Sequence, residues 1–129
     1  MASKVIKAPV KDGIFEVLTG KVPLNQALAK DPRGDVYLLG TPKRPPNSVT
    51  MYSSRPMARL MHILRGGADF VVIDCGPAGA GPEAALIARL ADATVLVSRR
   101  QALHGPLIAN AARILESAHA APIGIVVTK

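Results

Sequence analysis

Asp69-Phe70-Val71-Val72-Ile73-Asp74-Cys75-Gly76-Pro77 reads as an apolar run that stops on a carboxylate and then a turn. Val71, Val72 and Ile73 follow one another with no polar residue between them, the pattern of a strand covered on both faces of a parallel sheet. A central strand is expected here, with Asp74 at the carboxyl edge of the sheet, where open α/β folds bind their ligands. A carboxylate in that place suits a magnesium ion, which keeps its waters and needs few protein ligands.

Three further strand-like runs surround this one: Asp35 to Leu39, Ala93 to Ser98, and Ile123 to Thr128. Segments of helical period separate them, so the expected fold is α/β: three layers, a mostly parallel sheet of about four strands with flanking helices. Between the first two runs, Met57, Leu60, Met61 and Leu64 fall at i, i+3, i+4, i+7. Ser53 or Ser54 can cap that helix, Pro56 fits its first turn and Gly66-Gly67 ends it. A second helix is expected from about Pro82 to Ala91. A third, from near Pro106, puts Leu107, Ala111, Ile114, Leu115 and Ala118 on one face. In the N-terminal third, Gly13 to Leu18 and Leu24 to Ala29 read as two short helices, and Thr41 to Ser48, with three prolines, as a loop. Met1 to Val10 has no capping or periodic signal beyond Val5-Ile6, and residues 1–12 read as a short edge strand or as loose chain.

A chain of 129 residues with 49% apolar content has the size and composition of one soluble α/β domain, residues 1–129. No stretch approaches the ~20 apolar residues of a membrane span, and no secretory leader opens the chain, so a cytoplasmic location is expected. The formal charge of +7 favours polyanions in general, but its 16 basic residues are scattered and aromatic residues to stack bases are few, so nucleic acid is not an expected partner. The single cysteine, Cys75, has no Cys or His at zinc-ligand spacing and reads as a buried small residue. His62, His104 and His119 likewise show no ligand spacing and read as surface or capping residues, and Met51, Met57 and Met61 as core.

Three nucleotide-site readings compete around Asp74. Gly76 and Gly81 have the outer spacing of a phosphate loop, but Pro82 and Glu83 stand where that motif needs Lys and Ser/Thr, so it lacks both the cation and the magnesium-binding hydroxyl. Val71 to Gly79 also looks like the glycine fingerprint of a dinucleotide (FAD or NADP) fold. There Asp74 occupies the place of the turn glycine, which would set a carboxylate beside a pyrophosphate. The third reading is a Walker B strand, whose terminal Asp orients the hydration shell of magnesium. An ordinary Asp hydrogen-bonding the next turn produces the same local pattern.

Along nearly its whole length the chain resembles the bacterial tyrosine autokinases that control polysaccharide export, relatives of the partitioning ATPases. Gly13 to Gly20 resembles one segment of that family and Lys21 to Lys30 the helix after it. Gly40 to Ser48 resembles its Pro-rich loop, Ser53 to Met57 a helix start, and Asp69 to Pro77 its Walker B strand. Ala91 to Arg99 and Pro122 to Val127 resemble the two strands that follow. The resemblance implies an incomplete P-loop NTPase-like fold. It also implies that Asp74 acts through water on the magnesium of bound ATP and that Arg99 lies near the nucleotide.

Departures from the family pattern are equally specific. The family carries Pro where this chain has Gly76, Asp where it has Glu83, and Asn near the adenine where it has Thr128. Nothing in these 129 residues resembles the Gly-rich loop with Lys and Ser/Thr, the second acidic motif, or the tyrosine-rich tail, for the only tyrosines are Tyr37 and Tyr52. Without a Lys and a cradle of backbone N–H groups, phosphoryl transfer loses most of its electrostatic stabilisation. The resemblance thus implies part of a kinase-like ATPase domain of exopolysaccharide biosynthesis, with Mg-ATP as the family's cofactor and no tight ATP binding or kinase activity by this chain alone. Losing the family's first strand would leave a gap in the sheet. Self-association, a separate ATP-binding half, or the polysaccharide-export membrane protein are the expected partners, at the cytoplasmic face of the inner membrane. A non-catalytic interaction module and a dinucleotide-binding oxidoreductase fragment are the alternatives.

Overall fold

The computed structural model describes residues 9–102 and 106–129. His104 and the Val5-Ile6 pair lie outside them. The chain forms two compact units, Met1–Met51 and Tyr52–Lys129.

In the first unit, helix α1 (Ile14–Leu18) starts where Gly13 allows a close approach: a Cβ there would run into the carbonyl oxygen of Gly40, which accepts a hydrogen bond from Ile14 N at 2.9 Å. The Gly13 N–H donates to Glu16 Oε2 at 3.0 Å, closing the first turn and holding the Glu16 carboxyl below its ordinary range. Helix α2 (Leu24–Ala27) is shorter than the periodicity suggests. Its chain leaves the helix at Leu28, because Ala29–Lys30 (β1) pairs antiparallel with Tyr37–Leu38 (β2). Asp31 and Arg33 hold the intervening turn: Arg33 Nε and Nη2 donate to the two carboxylate oxygens at 2.9 and 2.6 Å, and the Arg33 N–H to Oδ1 at 3.0 Å. The fork keeps the buried Asp31 carboxyl at about 2. A short helix, α3 (Ser48–Tyr52), follows the Pro-rich loop and carries the unit boundary.

In the second unit, α4 (Arg55–Gly67) is the helix that periodicity predicts. Ser54 Oγ accepts from Met57 N, Pro56 lies in the first turn, and Met57, Leu60 and Met61 are buried. The helix continues through Gly66-Gly67 to a cap at Ala68. Helix α5 (Glu83–Ala88) buries Ala84, Ile87 and Ala88, and α6 (Pro106–Ser117) buries Ala111 and Leu115. Strands β3 (Thr94–Arg99) and β4 (Pro122–Thr128) pair in parallel, joined through a three-residue 3₁₀ turn at Arg100–Ala102 and α6. Ala88, Leu115 and Ala120 form one apolar cluster.

The end of α6 shows why that cluster forms. His119 takes a positive φ of 56°, its N–H donates to Glu116 O at 2.9 Å, and the Ala120 N–H donates to Leu115 O at 3.0 Å. This is a Schellman motif, and it brings Ala120 back against Leu115, the contact that usually accompanies it. Here His119 occupies a position that glycine fills more cheaply.

The α/β class and the parallel crossover agree with the sequence. The sheet is smaller than the four strands expected: the described residues contain two two-stranded sheets. The Asp35 to Leu39 run forms a hairpin with β1 and does not enter a parallel sheet. The Asp69 to Cys75 run, expected as a central strand, joins no ladder, and none of its backbone groups makes a backbone–backbone hydrogen bond among the described residues. A strand needs a neighbour for its N–H and C=O groups, and no described segment supplies one.

Candidate functional site

The run leaves the end of α4, where the Ala68 N–H closes on Leu64 O at 3.1 Å, and reaches its carboxylate at Asp74. The Gly76 N–H, with Gly76 at φ +70°, donates to Asp74 Oδ1 at 3.3 Å. This is the Asx-type turn that an ordinary strand-end Asp makes, and it engages one lone pair of an exposed carboxylate. No other hydrogen bond or ion pair reaches Asp74 among the described residues, so the remaining lone pairs face solvent.

Three side chains from separate elements gather beside this turn. Tyr52, at the end of α3, has its phenol pushed up by burial, then by the nearby Glu83 and Cys75. Glu83 opens α5 and lies over Gly81, where a Cβ would collide with its carboxylate. Cys75 is half-buried, and burial, then Asp74, pushes its thiol up. Tyr52 carries no spacing signal toward Asp74 or Glu83; only the fold brings it there.

Arg99 ends β3 on the face it shares with Val95 and Val97. Its register partner on β4 is Thr128, so the two share the carboxyl edge of the parallel pair. The Thr128 hydroxyl reaches the Ser98 carbonyl at 3.5 Å. Arg99 and Asp74 do not touch each other, and Arg99 has no ion-pair partner among the described residues. Nor do the described residues hold a group of three or more metal-ligating side chains. A lone, solvent-facing carboxylate fits the outer hydration shell of magnesium better than direct ligation. The described residues around it supply no lysine or ring of N–H groups for a triphosphate.

Sequence and structure comparisons place this fold among known proteins. Over 98 residues, 74% of its length, the chain is 31% identical to the "Putative tyrosine-protein kinase AmsA" of Erwinia amylovora. The chain is homologous to bacterial tyrosine-protein kinases. The "Tyrosine-protein kinase CpsD" of Streptococcus pneumoniae is 24% identical over 117 residues, 91% of the chain. The crystal structure of the chimerical protein CapA2B2 superposes on 97% of the chain with a TM-score of 0.89 at 21% identity, which shows a shared fold. No protein-family model matches. The kinase homologue spans 13% of the length of AmsA and 52% of that of CpsD, and it covers 55% of the CapA2B2 chain. No helix among its described residues is long and apolar enough to cross a membrane.

Proposed function

We propose that this chain supplies the magnesium-orienting half of a tyrosine-kinase-like ATP site in exopolysaccharide or capsule biosynthesis and export, at the cytoplasmic face of the membrane. Asp74 is its Walker B carboxylate and Arg99 its nucleotide-edge cation. The 31% match to a protein named as a tyrosine kinase carries this reading, and the lone solvent-facing carboxylate of Asp74 is compatible with it. When bound, Mg-ATP would supply the transferable phosphoryl group and the charge-neutralising cation.

The residues of this chain have limited roles in that site. The Asp74 carboxylate would accept hydrogen bonds from the hydration shell of a bound magnesium, and the Gly76 N–H donates to its Oδ1 and fixes its orientation. Arg99 offers a fixed positive charge at the sheet edge. No described residue cradles the phosphates, so these residues alone do not catalyse phosphoryl transfer, and a polypeptide bearing the phosphate-binding elements completes the site. The kinase relatives and Asp74 at the turn position both weigh against a dinucleotide-binding oxidoreductase.

Calorimetric titration of the chain with ATP and magnesium tests this reading. Binding weaker than about millimolar, which corresponds to ~4 kcal/mol, is expected, with no phosphate released. Tight magnesium-dependent binding that disappears in Asp74→Ala would contradict the half-site, and a yellow, flavin-bearing preparation would overturn the kinase reading itself.

A further inference from the structure

Helix α4 has two opposite faces of different character. Met57, Leu60 and Met61 are buried, whereas Arg55, Arg59 and His62, at i, i+4 and i+7, are exposed on the other side. At 1.5 Å per residue this row runs about 10 Å along the helix. Its charge is not balanced within the segment, for no Asp or Glu occurs from Tyr52 to Ala68. Arg65, on the flank of the same helix, is engaged: its Nη2 donates to Leu90 O at 2.7 Å and to Asp92 Oδ1 at 2.8 Å. The side chains of Arg55, Arg59 and His62 enter no hydrogen bond or ion pair among the described residues. The row also works against the helix that carries it. Arg55 is the first residue after the Ser54 cap, where the macrodipole favours an anion, and Arg59 sets a like charge one turn further on. An anion laid along the row relieves both.

We propose that Arg55, Arg59 and His62 dock an acidic helix of a partner polypeptide, one that presents Asp or Glu on a single face at the same four- and three-residue spacing. The inference goes beyond the magnesium site and does not rest on it. Charge and spacing select the occupant. Two helices share one rise per residue, so carboxylates spaced in this way meet the row along its whole length. Residue type agrees: every Lys-or-Arg position from Tyr52 to Thr128 is arginine, whose planar fork closes on a carboxylate with two parallel hydrogen bonds. An anionic bilayer is a poorer fit. Stable adsorption takes an inserted apolar face or a larger basic cluster, and the row has two arginines beside one half-exposed apolar residue, Ile63. A nucleic acid is poorer still, because α4 carries no aromatic side chain to stack on a base.

The test uses the full chain without nucleotide or magnesium and two alanine-rich helical peptides. One has glutamates at i, i+4 and i+7, and its twin has the same glutamates spread around the helix. Fluorescence anisotropy at low salt is expected to show the first peptide binding at least about tenfold more tightly than the twin, with an affinity that falls as salt rises. Arg55→Glu and Arg59→Glu should each weaken that binding at least about fivefold. The thermal midpoint of Arg55→Glu should hold or rise, because an acidic residue suits the start of the helix, so its lost binding is not lost folding. Arg113→Glu makes the same change of charge on α6 and should leave binding unchanged. Several results would each overturn the proposal: no binding of the first peptide, equal affinity for the twins, full binding by Arg59→Glu, an equal loss from Arg113→Glu, or binding to phosphatidylglycerol vesicles alone. Since neither ATP nor magnesium takes part, failure here leaves the Asp74 reading standing, and failure of that reading leaves the basic row standing.

Discussion

Two apolar runs of nearly the same composition meet different fates in this molecule. Thr94-Val95-Leu96-Val97-Ser98-Arg99 finds β4 and, after a register shift between Thr94 and Val95, pairs with it residue for residue from Val95 opposite Gly124 to Arg99 opposite Thr128. Asp69 to Cys75 is at least as apolar and leaves Phe70 and Val72 in solvent. The difference is the return path: α6 carries the chain from β3 back to a parallel neighbour, anchored by Leu115 and the Schellman motif, whereas nothing described returns beside the earlier run. Strand propensity is local, but a strand exists only where a second segment arrives.

The largest expected effect breaks the return path. Leu115 is 3% exposed in the apolar cluster, so Leu115→Ala should cost about 2–4 kcal/mol in urea unfolding. Val72→Ala in the exposed run should stay within about 0.5 kcal/mol. A Val72→Ala cost above about 1 kcal/mol would mean that the run is covered and that the contrast between the two regions is false.

A smaller change should strengthen the same return path. His119→Gly removes a side chain from a left-handed position and is expected to stabilise by about 0.5–1 kcal/mol, seen as a raised thermal midpoint. No gain would show that the His119 side chain contributes as much as its backbone conformation costs.

The subtlest prediction probes where the unpaired run rejoins the unit. Burial, then Asp74, raises the Cys75 thiol, so its alkylation by iodoacetamide should reach half-maximal rate at higher pH than for a free thiol. The folded chain holds that proton more tightly than the unfolded chain. Its contribution to stability is therefore fully present below the ordinary thiol range and is lost as pH rises through the raised value. Cys75→Ala should remove this alkaline dependence, and an ordinary thiol titration would mean that the run swings free at both ends.

Much of the second unit was legible because its signals are local. The Met57, Leu60, Met61 stripe, the Ser54 cap and Pro56 lie within a few turns of one helix and predict α4; the same holds for Ala111 and Leu115 in α6 and for the β-branched runs of β3 and β4. The β1–β2 hairpin was hidden because Ala29 fits the end of a helical pattern as well as a strand, and the Asp31–Arg33 fork that sets its turn depends on side-chain geometry. Asp74 and Arg99 could be singled out by their positions at the ends of apolar runs. Tyr52 could not be joined to them, since 22 positions separate it from Asp74 and no periodicity spans that distance.

By itself the sequence determined the helices of the second unit after Tyr52, the parallel crossover, the turn after Asp74 and the kinship with tyrosine-protein kinases, all of which depend on residue type and order. Only the tertiary structure decided that Asp69 to Cys75 stays unpaired, that the Asp31–Arg33 fork closes a hairpin, and that Tyr52, Cys75 and Glu83 meet beside Asp74. Each of these depends on which distant segment comes alongside, and backbone hydrogen bonds and burial are settled by that neighbour as much as by the residues themselves.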